Sequence, residues 1–348
     1  MIAFISRRLI LSVFSIWAIS LLAFAVIQLP PGDAVDRYIE SLLTQSAGGQ
    51  ANMGIEASIL EADEVRKYYG LDQPFHIRYG KWIWNMRKLD FGYSYLRRGT
   101  SNARQIPVTE LIQDRLWMTL ILTAATVFFT FIVAFPIGIY SAMRQNTVGD
   151  YTATFVGFIG LSVPDFLLTI VLMYIFFKYF DTSVGGLFSP EIEYEPWSLT
   201  KILDLLNHLI IPCVVLGTAG TAGQVRILRN NLLDELEKPY VVTAKSKGLA
   251  NWKVIMKYPL RIAINPMVSG IGQLLPSLIG GSVIVSVILS LPTLGPILLE
   301  SIKGQDVYAG GFIVLMLGIL TIVGVLISDI MLAIIDPRIR MWDLETID

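Results

Sequence analysis

The chain is poor in charge, in cysteine and in histidine, and each shortage excludes something. Asp, Glu, Lys and Arg together make up 16% of the 348 residues, whereas a soluble domain carries about 25%. The apolar share is 54% and the mean hydropathy +0.60, so much of this surface must face something other than water. Cys213 is the single cysteine and excludes an intrachain disulfide; His76 and His208 are the only histidines and form no metal-spacing cluster. A net charge of −1 gives no overall pull toward a polyanion such as nucleic acid. No G-x-x-x-x-G-K-[ST] loop is present, and the nearest text, "AKSKGL", lacks the glycines that let backbone amides wrap a phosphate. H-E-x-x-H and G-x-S-x-G are absent as well. A membrane enzyme has no catalytic constellation to rest on.

What the chain has in abundance is long apolar runs. Residues 9–29 follow Arg7 and Arg8, match the roughly 30 Å of a hydrocarbon core and end in "PPGD" without an A-x-A site. They read as an uncleaved first transmembrane helix. Five more runs follow at roughly 116–142, 153–180, 207–225, 262–290 and 311–335. The expected fold class is an all-α membrane protein with about six transmembrane helices. Gly217, Gly220 and Gly223 dilute the fourth run but suit close helix packing. Pro136, Pro164, Pro212 and Pro276 lie within spans, where neighbouring helices can satisfy freed carbonyls. With alternating spans, Arg7, Arg8, Arg144, the 226–261 segment, Arg338 and Arg340 share one side. The positive-inside rule makes that side, and both termini, cytoplasmic.

Residues 30–115 then form a small, mostly helical extracytoplasmic segment between helices 1 and 2. "SILEADEVRKYYG" reads as one helix and "PFHIRYGKWIWNMRKLDFG" as a second with an aromatic face and a glycine turn. "PVTELIQDRL" opens a third that runs into the second span, with Pro107 near its start. The stretch 44–57 is a glycine-rich tip. Packing over the outer mouth of the bundle and direct ligand contact are both open to this segment.

Charges inside the spans are few. Asp165 follows "LSVP" and is placed either to cap a helix restart or to act as an intramembrane functional group. Asp329 sits near the inner end of the last span and calls for a cationic neighbour. No chain of carboxylates suggests a proton relay. Between Arg226 and Arg261, eight basic residues meet three acidic ones. "PYVVTAKSKG" predicts a short helix from Pro239 stopped at Gly248 by a left-handed corner, with Leu249 folding back on Thr243 or Ala244. Asn251 is placed to cap a second short helix, "WKVIMKY", which Pro259 disturbs; Leu249, Trp252, Ile255 and Tyr258 make its apolar stripe. Such a segment suits either anionic lipid or a soluble partner.

"TAKSKGLANWKVIMKYPLRIAINP" resembles the cytoplasmic EAA-type loop of ABC importer permeases of the oligopeptide, dipeptide and nickel family. "YYGLDQP", "DFGYSY", "SVPDFLL", "HLIIPCVVLG", "LRNNLLDEL", "LIGGSVIVSVILSLPTLGPILLESI" and "DPRIR" are similar to family blocks in the same order along nearly the whole chain. One departure stands at the loop, where Val242 and Thr243 replace Glu-Ala before Ala244, so the family's glutamate does not carry over.

The resemblance implies a type I ABC importer permease fold: residues 1–29 as first helix, 116–335 as permease core with coupling loop 226–261, and 336–348 as cytoplasmic tail. It implies a non-catalytic subunit in a bacterial or archaeal cytoplasmic membrane. Its partners are a second permease, two ATPase subunits that bind ATP and Mg, and an extracytoplasmic substrate-binding protein. Thr243, Ala244, Lys245, Gly248, Leu249, Asn251 and Trp252 form the expected ATPase-coupling element. Asp165, Gly280, Gly281, Ser282 and Ser286 are candidates for the translocation path, with small-residue helix packing as the other reading of "LIGGSVIVS". Peptides, oligosaccharides and nickel chelates are all cargo of such systems, and an ATPase-independent secondary transporter is the alternative from another class.

Overall fold

The computed structural model describes residues 2–28, 72–94, 106–180 and 185–335. The helix expected before Gly70, the tip at 44–57, Arg338 and Arg340 lie outside the described residues. The helices are α1 (Ile2–Gln28), α2 (Phe75–Arg87), α3 (Val108–Met143), α4 (Val148–Ser162), α5 (Asp165–Phe180) and α6 (Leu199–Leu236). They continue with α7 (Pro239–Ser246), α8 (Asn251–Lys257), α9 (Pro259–Ala263), α10 (Asn265–Ile288), α11 (Leu294–Lys303) and α12 (Val307–Ile335). Four of them, α1, α3, α6 and α12, are long and apolar enough to cross a membrane.

The third expected span is not one straight helix. α4 and α5 meet at an angle of 104° across Val163 and Pro164, and count as a fifth span if taken together. Val163 is extended, as a residue before proline tends to be. The Pro164 carbonyl then accepts the Leu167 and Leu168 amides at 3.0 and 3.1 Å and starts α5. Pro136 and Pro212 instead stay inside continuous helices. The fourth run lies in the longest helix among the described residues, 38 residues in α6. The fifth expected run, 262–290, is α10, whose described apolar stretch is Leu278–Ile288; the run's first residues belong to α9.

The chain folds as two compact units. One comprises residues 11–117 and 296–319. There the aromatic face of α2 packs on α1, with Phe24 5.3–5.5 Å from the rings of Phe75, Tyr79 and Trp82. β1 (Tyr93–Ser94) and β2 (Ile106–Pro107) pair antiparallel just ahead of α3, and Pro107 is a strand residue, not a helical one. Buried Asp306 ties this hairpin to α12, accepting from the Ser94 hydroxyl at 2.6 Å and the Ala309 amide at 2.9 Å.

The other unit comprises residues 1–10, 118–295 and 320–348, and α6 runs through its centre. One core joins Val215 and Leu216 of α6 to Leu122, Leu278 and Val285. A second joins Leu228 and Leu232 to Ala134, Leu260, Ala263 and Met267. Gly217 admits the Phe129 ring, and Gly220 lies beside Leu274 and Thr130, whereas Gly223 faces open space. Asp329 does find a cation, Arg8, at 3.2 Å.

Candidate functional site

The segment between α6 and α10 is seated on α6 through its last helix. α9 lies on α6, with Leu260 and Ala263 in the core that contains Leu228 and Leu232. α7 and α8 pack on each other through Val241, Ala244 and Val254, flanked by Tyr240 and Tyr258. The Tyr240 hydroxyl donates to the Glu235 carboxylate. Burial, with this carboxylate beside it, holds the phenol proton well above its usual range. These contacts fasten the element to the long helix beneath it.

Gly248 forms the corner. Its φ is +77°, the left-handed region that glycine enters without steric cost, and its N–H donates to the Lys245 carbonyl at 2.9 Å. A Cβ there would meet nothing within 4 Å, so the requirement for glycine is conformational. The glycine corner and the break before Pro259 are where the sequence places them: Tyr258 ends α8 and Pro259 opens α9.

Three local expectations are corrected. Asn251 is the first residue of α8 and makes no cap bond; the Ala250 carbonyl accepts the first helical amides, from Lys253 at 2.9 Å and Val254 at 3.1 Å. Leu249 does not join the cluster around Ala244 but stands 40% exposed. The apolar stripe is split, because α7 and α9 bury Val254 and Ile255 while Trp252 is left 63% exposed. Val242 (58%) and Met256 (51%) are exposed with it, among Lys245, Lys247, Lys253 and Lys257. Thr243 is exposed and returns its hydroxyl to the Pro239 carbonyl at 3.0 Å; Ala244 is buried. The outcome is a set of exposed apolar side chains interspersed with exposed lysines on both sides of a glycine corner.

A second set of expected residues meets where α4 breaks. Asp165 opens α5, but its carboxylate accepts none of the local amides and has no hydrogen-bonding or ionic partner among the described residues. It points toward α10, where a Cβ on Gly281 would sit 3.5 Å from its Oδ2. Gly280 beside it is exposed and borders open space. Ser282 and Ser286 differ from these: both are buried, Ser282 donates to the Ile279 carbonyl at 2.8 Å, and the Ser286 hydroxyl is without a partner among the described residues.

One polar cluster escaped the sequence. Asp150, 2% exposed, accepts two bonds from Arg229, at 2.8 Å from Nε and 2.7 Å from Nη2. It also accepts from the Asn146 amide at 3.0 Å and from the Ser141 hydroxyl. Residues 79 positions apart give no local signal of such a pair. The acidic first turn of α4 was its only visible trace.

Comparison with known proteins fits a permease built around this loop. Residues 134–341 match the family model "Binding-protein-dependent transport system inner membrane component". The chain belongs to that family. It is 34% identical over 343 residues to the oligopeptide transport system permease protein AppB of Bacillus subtilis (strain 168), spanning 98% of this chain and 100% of the relative. The dipeptide transport system permease protein DppB of Escherichia coli (strain K12) is 30% identical, over 98% and 99% of the two chains. The peptidoglycan transport system permease protein YejB of Agrobacterium fabrum (strain C58) is also 30% identical, over 97% and 98%. Among solved structures, the inward-facing MetNI methionine ABC transporter aligns with a TM-score of 0.52 at 18% identity, over 66% of this chain and 97% of the other. That likeness is one of fold. The permease family thus accounts for the apolar helices, and the chain is an integral inner-membrane component with the type I ABC importer permease fold.

Proposed function

We propose that this permease forms half of the path for di- and oligopeptides in an ATP-driven importer, and that α7 and α8 dock on a separate ATPase subunit. The carrying observation is the exposed set Val242, Leu249, Trp252 and Met256 around the Gly248 corner. Large apolar side chains standing in solvent beside lysines suit a protein cleft better than water. The anchorage of α9 on α6 would pass motion of that cleft into the longest helix of the core. The side that carries this loop and both termini is cytoplasmic. The partners are two ATPases holding ATP and Mg, a second permease and an extracytoplasmic binding protein. Peptide as cargo rests on relatives named for oligopeptide and dipeptide transport. The path runs along Asp165, Gly280 and Gly281, where an unpaired carboxylate suits a peptide's ammonium; buried Ser282 and Ser286 serve packing.

Co-purification from native membranes tests the class: two ATPases and a second permease are expected with the wild-type chain. Trp252→Ala should weaken ATPase docking by about 2 kcal/mol, roughly 30-fold in affinity, as removal of a buried interface tryptophan does. A chain that drives uptake alone in liposomes under an ion gradient, with no ATPase recovered, would make it a secondary transporter instead. Gly248→Val forces a β-branched residue into positive φ at a cost of about 1–2 kcal/mol. That variant should insert normally and lose uptake while ATP hydrolysis persists; uptake at the wild-type rate sinks the coupling role.

A further inference from the structure

A groove lies between α3, α4 and α6, away from the docking loop and from Asp165. It encloses about 780 Å³, and Phe129, Val133, Val156 and Val225 are among its apolar walls. Its charged groups, Arg226 and Arg229, line it together with Asn230. The two arginines are not equivalent. Arg229 is neutralised by its bidentate pair with Asp150. Arg226 is exposed, lies 4.8 Å over the Phe158 ring and has no carboxylate partner among the described residues. The groove is therefore an apolar trough with one uncompensated cation in its lining.

A third observation lies deeper along the same wall. The Thr221 hydroxyl lines the groove, is shielded from solvent and has no hydrogen-bond partner among the described residues. Five residues of helix separate it from Arg226, about 7.5 Å along the axis at 1.5 Å per residue. A ligand with an anion at one end, a hydrogen-bond acceptor below it and hydrocarbon beyond would satisfy all three features. A peptide would not, since its amide groups would be left unpaired against these walls. Basic pockets between transmembrane helices are a known form of anionic-headgroup recognition.

We propose that this groove binds an anionic phospholipid. Its phosphate rests against Arg226, an ester carbonyl accepts from Thr221, and an acyl chain lies along Phe129, Val133 and Val225. The site stands independently of cargo, of ATPase docking and of which membrane face carries Arg226.

The test uses the full-length chain with its co-purifying subunits and two lipid probes of identical acyl chains, phosphatidylglycerol and phosphatidylcholine. Native mass spectrometry should show about tenfold preferential retention of phosphatidylglycerol by the wild type. Arg226→Gln should bring the two lipids to parity. Ala153→Trp, or Val133→Trp from the opposite wall, should fill the groove and lower retention of both lipids. Whichever filling variant keeps the wild-type melting temperature is the one to read. Equal retention of both lipids by the wild type, or unchanged preference in Arg226→Gln, overturns the proposal. So does displacement of phosphatidylglycerol by inorganic phosphate, which would mark a simple ion site. A benzophenone side chain at position 133 should cross-link to lipid; cross-linking to a protein chain would show that another subunit fills the groove.

Discussion

Asp150 and Asp165 lie on the two halves of one broken span, each in the first turn of its helix, and the fold treats them in opposite ways. Asp150 is buried and accepts from Arg229, Ser141 and the Asn146 amide. Asp165 has no side-chain partner among the described residues and faces a glycine of α10. A helix N-terminus favours a carboxylate in both places, so local electrostatics does not separate them. The difference is what the rest of the chain brings. α6 carries Arg229 to Asp150, and α10 presents Gly281, with no donor, to Asp165. A carboxylate at membrane depth is costly unless paired or set aside for function; the first serves as a clasp, and the second is the one proposed above to meet a ligand.

The contrast can be broken from the clasp side first. Arg229→Ala should leave Asp150 buried and unpaired and cost about 3–5 kcal/mol, read as a fall in unfolding midpoint of the detergent-solubilised chain. The exchanged pair Asp150→Arg with Arg229→Asp should regain part of that loss; no regain would mean that packing, not charge, makes this junction. Ser141→Ala removes one hydrogen bond to a charged group and should cost about 1.5–3 kcal/mol. Asp165→Asn has the smallest effect on stability, within about 0.5 kcal/mol of wild type, because no bond is lost. Its effect appears in transport: uptake of a peptide with a free ammonium should fall about tenfold, the worth of about 1.4 kcal/mol from one charge-assisted contact. N-acetylated peptide should be indifferent to the change. Equal loss for both peptides would assign Asp165 a structural role like that of Asp150.

Much of the architecture was legible before any coordinates. Hydropathy located the runs that became α1, α3, α6 and α12, because an apolar stretch of bilayer length has few other uses. Gly248 and Pro259 announced their corners through backbone chemistry that belongs to single residues. The aromatic face of α2 was also visible as a pattern. The break at Val163 was not, since Pro136 and Pro212 read alike and remain in continuous helices. Ser162, Pro164 and Asp165 together supply a stop and a restart, and the Ser162 hydroxyl already turns back to the Phe158 carbonyl at 2.7 Å. The facing of α8 was equally hidden. Seven residues are too few to choose a buried side, and the packing of α7 and α9 turned Val254 and Ile255 inward and Trp252 outward.

The sequence by itself determined membrane residence, helical class, the permease family and the place of the basic loop. These follow from composition, from apolar run length and from single residues with distinctive backbone preferences, all of which act locally. Only the tertiary structure decided, among the described residues, which aspartate is clasped and which is not, which apolar side chains of the loop remain exposed, and which arginine stands without a counter-ion. Those properties depend on partners far apart in the chain, such as the 79 residues between Asp150 and Arg229. Pairing across that distance is set by how helices pack, and no local pattern records it.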